Sequence, residues 1–182
     1  QTYILEFGNN YIRFFKDKGQ IFSSGSAYEI STPYLTAELF EIKFAQSADV
    51  MFITHPNHEV MKLSRTAHTS WTLAEVPFTD GPYLATNTTT TTLTPSSAST
   101  GSRNITASAT TGINGGVGWL ATDVGRILKF NGGKAKITAR TNSTVAVATV
   151  TTAFTNTNAT AAFNLGAFSN TTGFPSCVSF FE

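Results

Sequence analysis

Residues 45–71, AQSADVMFITHPNHEVMKLSRTAHTSW, decide the fold class. Residues 50–54 (VMFIT) are apolar and β-favouring, and His55-Pro56-Asn57-His58 has the chemistry of a turn. Residues 60–65 (VMKLSR) alternate apolar with polar, as a strand with one buried face must. The stretch therefore predicts two paired strands running back on each other toward Trp71, with no arrangement of catalytic groups.

The same grammar extends upstream. Two runs, YILEF and YIRFF, flank Gly8-Asn9-Asn10, and Lys16-Asp17-Lys18-Gly19 makes a second turn before Ile21-Phe22. Gly and Asn supply the positive φ that tight hairpins need, so a meander is expected. Thr36-Ala37-Glu38-Leu39-Phe40, after Pro33, reads as a single helical turn.

Composition agrees with an all-β chain. Charged residues make up 13% of the 182, about half the roughly 25% usual in soluble domains, and 15 Phe stand against 2 Met, so aromatics must fill the core. No run of about 18 apolar residues exists, which argues against a membrane-spanning helix, and the start lacks the regions of a signal peptide. Cys177 is the single cysteine, so no internal disulfide or cysteine-based metal site forms; its apolar neighbours predict a buried, inert thiol. The sequence begins on Tyr3-Ile4-Leu5 and closes on Val178-Ser179-Phe180-Phe181-Glu182, strand-like at both ends, so we expect a fragment of a larger protein.

Residues 86–104 change character: NTTTTTTLTPSSASTGSRN has no hydrophobic period and reads as a Thr/Ser-rich linker. Strand patterns resume from Ile105, at Trp119-Leu120 and in residues 125–130, 134–139 and 144–150, with turns at Asn131-Gly132-Gly133 and Thr141-Asn142-Ser143. The expected organisation is a hairpin domain over 1–85 completed by 165–182, with a small β-barrel inserted over 105–164.

Motifs that would carry chemistry are weak. His55 and His58, with Asp49 and His68 nearby, invite a metal reading, but no third or fourth ligand stands at usual spacing, so no metal site is assigned. Ser176 lacks the Gly-x-Ser-x-Gly elbow of a nucleophile. Gly116-Val117-Gly118-Trp119-Leu120-Ala121 matches Gly-x-Gly-x-x-Ala without the strand before and helix after that a dinucleotide requires, and Asn131-Gly132-Gly133-Lys134 is not a phosphate loop. No catalytic residue and no cofactor are expected.

Charge is unevenly spread. Residues 1–85 carry six Lys/Arg and nine Asp/Glu, whereas 86–182 carry six and two. Arg126, Lys129, Lys134, Lys136 and Arg140 are the one cationic concentration, a candidate contact for nucleic acid or a partner protein. Trp119 and Phe130, with Trp71, are candidate platforms for stacking a ligand.

The chain resembles the tubular or nozzle-type tail proteins of short-tailed bacteriophages. The resemblance is carried by Tyr3-Ile4-Leu5-Glu6-Phe7-Gly8, Tyr11-Ile12-Arg13-Phe14 and Lys16-Asp17-Lys18-Gly19, then Gln46-Ser47-Ala48-Asp49, His55-Pro56, Lys62-Leu63-Ser64-Arg65 and Trp71, and by Gly173-Phe174-Pro175-Ser176 at the close. Ala121-Thr122-Asp123-Val124-Gly125-Arg126 and Lys134-Ala135-Lys136-Ile137-Thr138 resemble a small barrel inserted in some of these proteins, akin to the FCCH half-domain of ubiquitin-activating enzymes, with no ubiquitin chemistry implied. The resemblance implies a propeller-like, virion-borne structural protein made in the bacterial host cytoplasm. It would pair with copies of itself and other tail proteins in a ring around the DNA-exit channel, with passing contact to DNA. A receptor- or carbohydrate-binding module displayed on the virion is the competing expectation. A glycan-degrading enzyme would need two facing carboxylates, and the barrel offers only Asp123.

Overall fold

The computed structural model describes residues 2–180 and is all-β, with three short 3-10 turns as its only helical segments there. It divides into two compact units, residues 2–77 with 174–180, and Phe78–Gly173.

In the first unit, β1 (Ile4–Gly8) pairs antiparallel with β2 (Tyr11–Lys16), which also pairs with β3 (Gly19–Gln20) and, through its first half, with β6 (Glu29–Ser31). β4 (Phe22–Ser23) and β5 (Ser26–Ala27) form a small hairpin between them. A second sheet follows the 3-10 turn Thr36–Glu41: β7 (Lys43–Ser47), β8 (Val50–His55), β9 (His58–Ala67) and β10 (Ser70–Glu75), paired in chain order. Register sets what is buried. Leu5 opposes Phe14 and Phe7 opposes Ile12 on the inner face, while Ile4, Glu6, Tyr11 and Arg13 face outward. Ile12, Phe14, Tyr34, Ile53 and Leu63 form the core of this unit.

The turns are local chemistry. His55 pairs with His58, so Pro56-Asn57 is the two-residue link between β8 and β9. Asp17 and Lys18 both take positive φ, 52° and 68°, the geometry of a hairpin whose twist matches its strands.

The second unit is one six-stranded sheet in the order β11 (Leu93–Pro95), β12 (Gly101–Ala107), β15 (Val145–Thr152), β14 (Gly133–Arg140), β13 (Ile127–Phe130), β16 (Phe163–Leu165). The sheet curls until its edges meet: Leu93 on β11 and Thr160, just before β16, exchange backbone hydrogen bonds of 2.8 and 3.1 Å. Leu93, Ile105, Trp119, Leu128, Phe130, Ile137, Val150, Phe154 and Phe163 fill the concave side.

Four expectations are corrected here. Residues 86–104 are not a linker, because β11 and the start of β12 are strands of the curled sheet and Leu93 and Thr91 are buried. The Asn87 side-chain amide donates to the carbonyls of Thr89, Thr91 and Ala161, which orders this segment without bulky apolar residues. The unit boundaries fall at 77 and 173 rather than 85 and 165. Leu84 donates its amide to Leu165 O, Ala167 to Pro82 O and Asn170 to Val124 O, so both margins belong to the second unit. Trp119-Leu120 is irregular backbone between the 3-10 turns Asn114–Gly116 and Ala121–Asp123, not a strand. In the first unit, Cys177 is exposed rather than buried.

Candidate functional site

The cationic residues of the second unit do not form one free face. Lys129 and Lys134 are register partners across β13 and β14, and Lys136 follows on the same outer side, as strand alternation requires. Lys134 Nζ lies 3.1 Å from Asp80 Oδ2, and Lys129 sits over the Tyr83 ring at 5.4 Å. Arg126 is turned onto the chain itself, donating to Gly166 O at 2.6 Å and pairing with buried Asp123 at 3.1 Å. Arg140 Nε donates to Trp119 O at 2.6 Å. Four of the five cations thus fasten loops to the sheet, which leaves little charge for a phosphate track.

Around Lys134 the electrostatics are local. The Asp80 carboxyl is held below its ordinary value by hydrogen bonds from Tyr83 and Lys134. Burial, then the bond to Asp80, pushes the Tyr83 phenol up to about 12.

The aromatic platforms are also corrected. Trp119 is 1% exposed and Phe130 3%, both inside the curled sheet, so neither can offer a ring face to a ligand. In the first unit, Trp71 stacks on Phe14 and takes the edge of Tyr3. Trp71, Tyr3, Arg65 and Asp49 border a cleft of about 300 Å³ in that unit, where Arg65 is engaged by Asp49.

The most chemically distinctive cluster joins the β8–β9 turn to the 3-10 segment of the first unit. A 3-10 helix has three residues per turn, so Glu38 and Glu41 project from one edge. The pairing of His55 with His58 puts both imidazoles on one side of the turn, ring centroids 4.9 Å apart. His58 Nε2 is 2.9 Å from Glu38 Oε2, and His55 Nε2 is 3.5 Å from Glu41 Oε2. Glu38 Oε2 also accepts the Leu35 amide at 2.8 Å; this bond and the one to His58 hold its carboxyl below the ordinary glutamate range.

His55 is fully buried. Its Nδ1 accepts the Asn57 amide at 3.1 Å, which leaves the hydrogen of the neutral ring on Nε2, and that atom has no hydrogen-bond partner. Tyr34 packs its ring edge-on against His58 at 5.2 Å, and its hydroxyl is likewise buried without a partner. Burial pushes that phenol upward. The third potential donor that spacing alone failed to supply is Glu38: one donor atom each from Glu38, His55 and His58 lies within 4.8 Å of the others. Asp49 and His68 lie outside this group, Asp49 pairing with Arg65 and His68 contacting Tyr3.

The outer surface of the first unit carries large apolar side chains. Phe40 is 94% exposed, Ile4 69%, Phe44 60% and Phe22 59%. No family model matches the chain, and no curated protein matches it.

Proposed function

We propose that this chain is a structural component of a short-tailed phage tail, a tube or nozzle subunit that works by docking onto copies of itself and neighbouring tail proteins around the DNA-exit channel. The observation that carries the reading is the outward set Ile4, Phe22, Phe40 and Phe44, four large side chains left in solvent by a unit that buries Ile12, Phe14, Tyr34, Ile53 and Leu63 completely or nearly so. In this reading those exposed side chains are the points of contact with other proteins. Many such contacts repeated around a symmetry axis close a ring with a joint affinity above any single one. The inserted curled sheet is, in this reading, a second folded module with its cations spent on its own loops, so contact with DNA is transient and weak. The role includes no catalytic step.

The alternative, a receptor- or carbohydrate-binding module, loses two of its three platforms with the burial of Trp119 and Phe130. Labelling of virions with antibodies raised against the chain tests the proposal. Gold on the tail supports it. Label confined to the capsid, or absent from intact and disrupted particles alike, sinks it.

A further inference from the structure

We propose that Glu38, Glu41, His55 and His58 bind one divalent transition-metal ion of the zinc class, which staples the 3-10 segment Thr36–Glu41 to the β8–β9 turn. Three independent features converge on this ligand. The first is donor chemistry: two imidazoles with two carboxylates suit zinc, cobalt or nickel, whereas magnesium and calcium favour oxygen ligands. The second is geometry. Donor atoms of Glu38, His55 and His58 lie within 4.8 Å of each other, and ligands on a tetrahedral ion with bonds of about 2.0 Å sit roughly 3.3 Å apart, so closure requires modest side-chain rotation. The Glu38 side chain is 20% exposed and already held against His58 by the Leu35 amide, whereas that of Glu41 is 58% exposed, so Glu41 is the carboxylate with room to swing inward.

The third feature is the buried Nε2 of His55, a polar atom without a hydrogen-bond partner and directed toward Glu41. A buried polar atom left unsatisfied is costly, and a metal ion at that point satisfies it. Coordination through Nε2 moves the ring hydrogen to Nδ1, so His55 must give up the Asn57 amide; this internal competition sets the affinity below that of a preformed site.

The consequence is structural. Half-buried Leu39 packs against the core, but no residue of Thr36–Glu41 is fully buried, so a metal staple adds to a modest apolar contact. The proposal is independent of the tail assignment and stands or falls by itself.

The test is titration of the chelator-treated full chain with zinc chloride by isothermal calorimetry, alongside thermal melting. The expected result is one zinc per chain and a raised Tm, with no response to magnesium chloride. Glu38→Gln and His58→Gln should each weaken zinc binding at least tenfold while the circular dichroism spectrum stays that of the parent, and His68→Gln should leave it unchanged. If His58→Gln fails to fold, Glu38→Gln, at a partly exposed side chain, decides. Absence of zinc binding, or equal affinity in folded Glu38→Gln, overturns the proposal, as does loss of binding on His68→Gln alone.

Discussion

Phe14 and Trp71 stack ring on ring, centroids 4.3 Å apart and planes 23° from parallel, and this contact ties β2 of the first sheet to β10 of the second. Tyr28 closes the arrangement, its ring 5.5 Å from Phe14 and its hydroxyl accepting the Trp71 amide at 3.0 Å. Phe14 is fully buried, so Phe14→Ala removes both transfer energy and packing and should cost about 3–5 kcal/mol. Urea unfolding of the two proteins measures it. A loss below about 1 kcal/mol would mean that the two sheets are held together elsewhere.

Lys18 has φ of 68° in the turn between β2 and β3, a conformation costly for a residue with a Cβ and free for glycine. Lys18→Gly should therefore stabilise the chain by about 0.5–1 kcal/mol, read as a higher urea midpoint at unchanged slope.

The Glu38 carboxylate gains the Leu35 amide and His58 on folding, and its folded pKa lies below the ordinary 4.5. A group depressed in this way binds fewer protons folded than unfolded. Its contribution is thus complete above pH 4.5 and is lost as the pH falls through the folded value. Glu38→Gln keeps an acceptor for the Leu35 amide and removes the charge. The stability gap between parent and variant should be widest near neutrality and shrink below pH 4.5, and a gap constant across the acid range would contradict the assignment.

Tyr83 is raised first by burial and second by Asp80. Asp80→Ala should therefore lower its ionisation midpoint without returning it to that of a free tyrosine. Ultraviolet difference titration of the variant against the parent resolves the shift, and an unchanged midpoint would leave burial as the whole cause.

Much of this architecture could be read from local chemistry, because a hairpin turn is fixed by neighbours in sequence. His55-Pro56-Asn57-His58 and Lys16-Asp17-Lys18-Gly19 both turn where their residue types require. The Glu–His cluster is half legible in the sequence. His55 and His58 share one turn, but Glu38 and Glu41 arrive on a separate 3-10 segment, brought there by the packing of Tyr34 and the Leu35 cap. Trp119 misled for a related reason: glycines precede it in sequence, and only the curled sheet, whose buried cluster also holds Ile113 and Ala146, shows that it is core.

Leu93 carries the largest divergence between sequence and structure, since threonines surround it and nothing in the local pattern marks a strand. Alternation places Leu93 and Pro95 inward on β11 while Thr94 lies between them, and the exchange with Thr160 brings the sheet's edges together at Leu93. In a linker, truncating this side chain would change stability by less than about 0.5 kcal/mol, the usual range for exposed positions. As a fully buried core residue, Leu93→Ala should cost about 2–5 kcal/mol, and slowed-exchange amides of Leu93 and Ala107 should lose protection together. Unchanged stability in Leu93→Ala would return residues 86–104 to the status of a tether.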